Sequence, residues 1–367
     1  MVEHRSRGIA TLSQLGEPGA FNAILDARSP AEFADDHIPG ALSCPVLSNE
    51  ERARVGTLYK QVSPFEAKKI GAPLIARNIA AHIEANFLDK PRDWRPLVYC
   101  WRGGQRSGAF AHILREIGWD AYRLEGGYKA WRRQVIDALT TLPQRFDYRV
   151  ISGPTGSAKS RILESLARRG VQVLHLEELA AHKGSVLGNL PDAPQPSQRM
   201  FETLLLQALE KCDVSQPIFV EAESRRIGSL QVPDALIFAM RAAPCLRIEA
   251  SRAARADFLL NDYSYFLQRP QWLSEQLGHL KGLQSDATLA RWRAQIEAGA
   301  FPSLVDELLE HHYDPLYQRS QDRNYQYGDA PAYAAADLSP AGVEDIASRI
   351  LIETPPFLRK NETARSG

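Results

Sequence analysis

The chain has 367 residues, of which 44% are hydrophobic and 24% charged, and this balance is typical of a globular protein with two domains. Its 44 Lys and Arg residues equal its 44 Asp and Glu residues, so the net charge gives no support for a basic nucleic-acid-binding surface. Because no signal-like segment, no run of about 18 apolar residues and no clustered cysteines are present, we expect a cytoplasmic protein without a membrane span, disulfide framework or metal site.

The first predicted strand covers residues 23–28 and ends in two charged side chains, Asp26 and Arg28. The Ser-Pro-Ala-Glu32 segment that follows has Ser, Pro and Glu at the spacing of a helix start. His37 then precedes a turn into a second strand. These four side chains are of the types found in catalytic clusters, but we interpret them as structural groups that fix the loops.

A long helix is predicted over about residues 70–87, because apolar residues recur there at helical spacing. Three lysines, Lys60, Lys68 and Lys69, lie just before it. We interpret them as a solvated helix face, and contact with a phosphate backbone is the alternative.

The loop Cys100-Trp-Arg-Gly-Gly-Gln-Arg-Ser107 joins a short apolar strand, residues 96–99, to a predicted helix. Glycines allow backbone N–H groups to turn inward, and N–H groups at the start of a helix favour an anion. Arg102 and Arg106 add positive charge, which favours the reactive thiolate form of a cysteine. The segment therefore predicts a cradle for a nucleophilic sulfur at Cys100, with Arg102 and Arg106 as the anion-binding side chains.

Four segments in this order resemble the signatures of rhodanese domains: Asp26-Ala-Arg-Ser-Pro-Ala-Glu-Phe, His37-Ile-Pro-Gly-Ala, the Cys100 loop and Leu124-Glu-Gly-Gly-Tyr-Lys-Ala-Trp131. The resemblance implies an α/β fold in which the loop cysteine, here Cys100, carries sulfur or selenium. It also implies that Gly126, Gly127 and Trp131 belong to the structural motif that ends the domain.

The Cys100 loop is longer than an ordinary rhodanese loop. Five residues, 101–105, separate Cys100 from Arg106, where such loops have four. A longer loop makes a wider cradle, as in cysteine-dependent phosphatases, and admits a tetrahedral oxyanion or a larger chalcogen. A phosphatase therefore stays an alternative, although Tyr99 stands where those enzymes usually have His. Trp101 is either a stacking partner for a base or a packed aromatic side chain.

A linker at residues 140–144 precedes a predicted strand, a Gly-rich loop and a helix. The loop Gly153-Pro-Thr-Gly-Ser-Ala-Lys-Ser160 has the pattern of a P-loop, with Ala158 in place of one glycine. In that motif the backbone N–H groups bind phosphates, Lys159 contacts a terminal phosphate and Ser160 contacts a metal ion. Ala158 leaves the loop geometry open, since a Cβ is costly where φ is positive. The predicted phosphate-binding residues are Gly153, Thr155, Gly156, Ser157, Ala158, Lys159 and Ser160.

Two glutamates, Glu221 and Glu223, end an apolar strand of the second half. In a P-loop fold this position brings an acid to the metal shell, so both are assigned to the ligand-binding site. The alternative is that they pair with Arg225 and Arg226 without any metal. Strands that alternate with helices predict a parallel sheet here.

The remainder of the second half is predicted to be mostly helical beyond residue 257. Arg252 and Arg255 follow another strand, where P-loop kinases often carry lid arginines. The pair at residues 311–312 has no matching ligand set, so we predict no metal site from these two histidines.

Four segments of the whole chain resemble the tRNA 2-selenouridine synthases: the Cys100 loop, the P-loop, Val220-Glu-Ala-Glu-Ser-Arg-Arg-Ile-Gly228 and Tyr313-Asp-Pro-Leu-Tyr317. The resemblance implies enzymes that replace sulfur by selenium in 2-thiouridine at the tRNA wobble position, with selenophosphate as the donor. It also implies an S-geranyl intermediate made from geranyl diphosphate. No tightly bound cofactor is expected, and a Mg²⁺ requirement stays open.

The predicted organisation is a rhodanese-like domain over residues 1–140, a P-loop NTPase-like domain with a parallel sheet and a helical C-terminal part over 146–350, and a mobile tail over 351–367. Geranyl diphosphate and ATP or GTP are the alternative ligands of the P-loop. Candidate contacts to tRNA phosphates are Arg132, Arg133, Arg225 and Arg226. Two other functions stay open: a sulfurtransferase or phosphatase for a small molecule with a nucleotide-binding regulatory domain, and a P-loop kinase with a rhodanese-like binding module.

Overall fold

The computed structural model describes residues 8–324 and 330–353, except the side chains of residues 320–324. The chain divides into two compact units, Met1–Ala138 and Leu139–Gly367. The tail predicted to be mobile lies outside the described residues from residue 354 onward. Within the described residues, no helix is long and apolar enough to cross a membrane.

The first unit contains five short strands: β1 Ile9–Ala10, β2 Ala23–Asp26, β3 Ala41–Ser43, β4 Pro96–Tyr99 and β5 Tyr122–Leu124. They form one parallel sheet in the order β1-β5-β4-β2-β3. All four residues of the central strand β4 are buried, as the apolar sequence predicts for a parallel sheet covered on both faces. Because β2 and β4 are parallel neighbours, Asp26 and Cys100 come at the same edge of the sheet.

The helices of this part of the chain are α1 Leu12–Leu15, α2 Pro30–Asp35, α3 Asn49–Gln61, α4 Pro64–Asn86, α5 Gln105–Ile117 and α6 Gly127–Thr141. Ser48 caps α3 and Ser63 caps α4, and each hydroxyl accepts a hydrogen bond from the backbone N–H three residues later. The predicted start of the long helix at about residue 70 was wrong, because Ser63 and Pro64 together start it earlier. The preceding helix α3 was not predicted, and it packs against α4.

The second unit contains the strands β6 Tyr148–Ser152, β7 Val173–Leu174, β8 Ile218–Glu221, β9 Arg226–Ile227, β10 Leu230–Gln231, β11 Cys245–Ala250 and β12 Ala332–Ala335. Five of them form a parallel sheet in the order β12-β11-β6-β8-β7, which confirms the predicted parallel sheet. β9 and β10 form a separate antiparallel hairpin. The P-loop follows the central strand β6, at the carboxyl edge where parallel sheets bind ligands.

The helices of the second unit are α7 Lys159–Arg168, α8 Leu176–Leu179, α9 Gln198–Glu210, α10 Asp234–Ala242, α11 Arg252–Asp262, α12 Ser264–Gln268, α13 Pro270–Gln276, α14 Asp286–Glu297, α15 Phe301–Leu308, α16 Asp314–Asn324 and α17 Pro340–Glu353. The segment α12–α15 has a hydrophobic core of its own around the fully buried Trp292. The prediction of a mostly helical end missed β12, which pairs with β11 and returns the chain to the sheet. The sequence Ala332-Tyr-Ala-Ala is too short and too rich in alanine to predict a strand.

Candidate active sites

Cys100 lies directly after β4, where the sheet ends and the reactive loop begins. Its side chain is buried, and its Sγ accepts a hydrogen bond from the Ser107 hydroxyl at 3.2 Å. Ser107 belongs to the first turn of α5, so the helix start and the sulfur face each other. The structure therefore brings the thiol to a strand-to-helix junction, with a hydroxyl donor on its sulfur.

The Gly126-Gly127 motif supports the Cys100 loop from behind. The N–H of Tyr128 donates to the Cys100 carbonyl, and the N–H of Lys129 donates to the Trp101 carbonyl, both at 2.9 Å. Gly127 has a φ of +58°, and a Cβ placed there would lie 2.3 Å from the Cys100 carbonyl oxygen. The end motif of the domain is thus a brace that requires glycine, since only a residue without Cβ allows this approach.

The two arginines of the loop have different surroundings. Arg106 is bound by Glu32, with Nη1 2.7 Å from Oε2. Burial alone would raise the pKa of Glu32, but the hydrogen bond and charge of Arg106 hold it below its usual value. Arg102 is exposed and has no ion-pair partner among the described residues. Arg102 is therefore available to an incoming anion, whereas Arg106 must share its charge with Glu32.

Asp26, at the end of β2, and Arg28 have the structural role that was predicted for them. Arg28 forms a buried ion pair with Asp26, Nη2 to Oδ2 2.6 Å, and donates to the carbonyl of Asp36. Its guanidinium carbon also lies 3.9 Å from the centre of the Tyr128 ring. These contacts tie β2 to the brace behind the Cys100 loop, so this cluster supports the loop from inside the unit.

The other three cysteines are poor nucleophiles. Burial and the nearby Asp26 raise the pKa of Cys44 to about 12, and burial raises the pKa of Cys245 to about 11. Burial also raises the pKa of Cys212. Because the thiolate is the reactive form, these three thiols are largely unreactive near neutral pH.

A groove of about 750 Å³, which we call the Cys100 groove, was not predicted from the sequence. Its walls come from α3, α4, the Cys100 loop and the start of α5, and they include Val55, Ile75 and Ile79. Trp101 also lines it and lies 5.3 Å from the Tyr128 ring, so this aromatic side chain is packed on one side. The signal that sequence reasoning missed is the α3–α4 hairpin, whose small and apolar residues form one wall.

The P-loop has the shape of a phosphate-binding turn, and α7 begins at Lys159. Ala158 is held in the left-handed conformation, with φ 58° and ψ 26°, so the strain anticipated for a residue other than glycine is present. Lys159 Nζ donates to the Gly153 carbonyl at 3.1 Å, across the opening of the loop. Gly156 also has a positive φ, +83°, as the turn requires.

Three carboxyl groups lie beside the P-loop. The Ser160 hydroxyl donates to Glu177 Oε2 at 2.7 Å, and the Glu177 N–H donates to Glu221 Oε1 at 2.8 Å. Burial and the neighbouring Glu177 raise the pKa of Glu221 to about 8, and the same causes raise the pKa of Glu223 well above its usual value. Ser160 is therefore engaged by a carboxylate that the sequence analysis did not assign, Glu177. Among the described residues, no group of three or more His, Cys, Asp or Glu side chains could hold a metal ion.

Arg255, at a position where P-loop kinases often carry lid arginines, is buried. It is 5% exposed, and its Nη1 donates to the Thr155 carbonyl at 3.0 Å and to Asp314 Oδ1 at 2.8 Å. The residue therefore fixes the P-loop backbone to the start of α16. Arg225, one of the two alternative partners of Glu221 and Glu223, pairs with Asp234, 2.8 Å away.

The P-loop opens into a cavity of about 560 Å³ whose lining is both charged and apolar. The P-loop with Lys159 lines it, together with Glu177 and Glu223. Its apolar and aromatic side chains are Val186, Phe258, Leu259, Tyr263, Tyr313 and Leu316. Charged groups lie beside some of them, since Lys183 Nζ is 5.3 Å from the centre of the Tyr263 ring. The cavity therefore combines a phosphate-binding loop with apolar surface.

Comparison with known proteins finds a matching family model for each of the two units. A rhodanese-like domain model matches residues 10–134, and a model of the tRNA 2-selenouridine synthase AAA domain matches residues 146–285. Proteins named tRNA 2-selenouridine synthase from Nitrosomonas eutropha and Bdellovibrio bacteriovorus are 34% and 30% identical to the chain, cover 83% and 82% of it, and match over 89% of their own lengths. One from Nitrosomonas europaea is 36% identical over 66% of this chain and 64% of its own length. The chain therefore belongs to the tRNA 2-selenouridine synthase family.

Proposed function

We propose that this protein replaces sulfur by selenium in 2-thiouridine at the wobble position of tRNA, in two steps. In the first step, the P-loop unit transfers a geranyl group from geranyl diphosphate to the thiocarbonyl sulfur. In the second, the Cys100 loop delivers selenium from selenophosphate to C2 of the base. The names of the relatives support the overall reaction, and the two separate loops support its division into two steps.

The observation that carries the first step is the P-loop cavity, which combines a phosphate-binding loop with apolar and aromatic side chains. A diphosphate fits the loop, where backbone N–H groups and Lys159 supply positive charge. The wall around Tyr263, Tyr313 and Leu259 suits an isoprenoid chain, since it offers apolar and aromatic area. In this step the sulfur bonds to C1 of the geranyl group, diphosphate leaves with the electron pair of the C1–O bond, and N3 of the base loses its proton to water. Donors that hold the developing negative charge of the leaving group assist its departure.

The second step assigns Cys100 and Arg102 to the selenium donor. Arg102 is exposed and binds the phosphate of selenophosphate. Arg106 contributes less positive charge, because Glu32 partly neutralises it. Cys100 orients the selenium of selenophosphate toward C2, and the thiol is not oxidised, since a perselenide formed from selenide-level selenium would need an oxidant. Geranylation makes the sulfur a better leaving group, which is why the two steps follow in this order.

The test uses an RNA stem-loop that carries 2-thiouridine, with mass spectrometry of its nucleosides. With geranyl diphosphate, we expect wild type and Cys100→Ala to form S-geranyl-2-thiouridine and Lys159→Ala to form almost none. With selenophosphate added, we expect wild type to form 2-selenouridine and both Cys100→Ala and Lys159→Ala to form almost none. Lys211→Ala, which removes an exposed lysine outside the P-loop cavity, is the matched control and is expected to behave like wild type.

Three outcomes contradict this scheme in different places. If Lys159→Ala loses selenium incorporation but keeps full geranylation, the P-loop does not bind geranyl diphosphate. If a folded Cys100→Ala loses both activities, the steps are not divided between the loops. If only small molecules change while the RNA stays unmodified, a sulfurtransferase, phosphatase or kinase is favoured.

A further inference from the structure

The Cys100 groove has an apolar wall that a small selenium donor does not use. Val55 of α3, Ala72, Ile75 and Ile79 of α4, and Ile113 of α5 line it. Its volume of about 750 Å³ lies within the roughly 300–1,000 Å³ of pockets that bury small organic ligands. Selenophosphate is a compact anion that gains nothing from apolar side chains. The apolar wall therefore suits an apolar part of a substrate other than selenophosphate.

The charged residues of the groove have one sign. Among the described residues, its lining includes no Asp or Glu. The five basic residues that line it are Arg52, Lys60, Lys68, Arg102 and Arg106. Glu32 binds Arg106 and lies 3.7 Å from Arg52. Lys60, Lys68 and Arg102 are exposed and have no ion-pair partner in the described part of the chain. A ligand that matches this groove combines an apolar chain with phosphates, because the free cations favour anions and the wall favours hydrocarbon.

We propose that the Cys100 groove binds the isoprenoid chain of the S-geranylated nucleoside during the selenium step, with RNA phosphates toward Lys60 and Lys68. This inference rests on the proposed function and adds a second isoprenoid site, separate from the P-loop cavity. Cys100 lines the same groove. A chain bound along α4 therefore holds the attached base, and its C2 atom, beside the sulfur of Cys100.

The chemistry of the step gives the groove a second use. Selenium bonds to C2 while the C2–S bond breaks, and the electron pair leaves on the sulfur. Water cleaves the P–Se bond of selenophosphate to give phosphate, and protons from water and the donor end on N3 and on geranylthiolate. The balance needs no oxidant or reductant. Geranylthiol is apolar, so the groove that positions the substrate also holds this leaving group.

The experiment bypasses the first step by supplying RNA stem-loops that already carry an S-alkyl group. S-geranyl and S-methyl 2-thiouridine substrates are compared with selenophosphate as the donor, and kcat/KM is measured from 2-selenouridine formation. For wild type we expect kcat/KM to be at least about tenfold higher with the geranyl substrate, because each buried carbon of the chain favours binding. Ala76→Trp, which fills the groove from an exposed position on α4, is expected to reduce this ratio to about threefold or less.

The matched control is Ala85→Trp, which places the same side chain on α4 outside the groove lining and is expected to keep the wild-type ratio. Because a ratio within one variant is compared, partial unfolding of Ala76→Trp does not imitate the expected result. Equal kcat/KM for the two substrates in wild type overturns the groove assignment, and so does an unchanged ratio in Ala76→Trp. If wild type forms no 2-selenouridine from the S-geranyl RNA, the proposed function itself is contradicted.

Discussion

Replacing Gly127 by Ala tests the brace behind the Cys100 loop. Gly127 has a φ of +58°, and an added Cβ would lie 2.3 Å from the Cys100 carbonyl oxygen and 2.4 Å from the Gly103 nitrogen. The left-handed conformation costs a residue with a Cβ about 1–2 kcal/mol, and relief of such overpacking typically costs another 1–3 kcal/mol. We therefore expect Gly127→Ala to lower the free energy of unfolding by about 2–5 kcal/mol. The variant is also expected to lose selenium incorporation, because the added Cβ displaces the Cys100 loop.

The assay is urea-induced unfolding of the full chain followed by tryptophan fluorescence, since most of the six tryptophans lie in the first unit. Gly40→Ala is the matched control, because Gly40 also has a positive φ, +76°, but nothing within 4 Å of an added Cβ. It is expected to show the conformational cost alone, about 1–2 kcal/mol. A Gly127→Ala variant as stable as Gly40→Ala, with selenium incorporation intact, would refute the proposed brace.

Two further variants test the P-loop unit. Glu221, with a folded-state pKa of about 8, keeps a proton that the unfolded chain has lost above about pH 4.3, so its contribution to stability falls as pH rises between these values. Glu221→Gln is expected to gain thermal stability over wild type progressively from about pH 5 to about pH 8, and a difference in Tm that is constant with pH contradicts this assignment. Arg255→Met leaves the partly exposed Asp314 carboxylate unpaired and is expected to cost about 1–3 kcal/mol, with reduced geranyl diphosphate affinity. The double variant with Asp314→Leu should recover much of the stability by calorimetry, and failure to do so would place the main role of Arg255 at Thr155.

Local sequence patterns predicted the parts of the two sites that are continuous in the chain. The strand, glycine-containing loop and helix at Cys100 and at the P-loop follow directly from apolar runs and from the positions of glycine. The left-handed Ala158 was anticipated as a problem for the same reason, since its position in the motif is normally glycine. The parallel sheets followed from the alternation of strands and helices.

Contacts between distant parts of the chain were beyond that reasoning. Glu32 is 74 residues from Arg106, and no local pattern indicates that the carboxylate neutralises an arginine of the cysteine loop. Arg255 had the spacing of a lid residue, but its partner Asp314 lies 59 residues away and turns it into a buried support. The Cys100 groove likewise depends on packing of α3 against α4, which the separate helical periodicities do not specify.

The left-handed Ala158 affects how a ligand enters the P-loop. An alanine persists in this conformation only where the surrounding fold determines it. Ala158 is 4% exposed, and its carbonyl accepts a hydrogen bond from the Ile162 N–H at 2.9 Å, so the helix itself holds the residue in place. The loop is therefore shaped before a phosphate arrives and gives up little conformational freedom on binding. We expect association to be governed by diffusion and charge, with the lifetime of the complex determining its affinity.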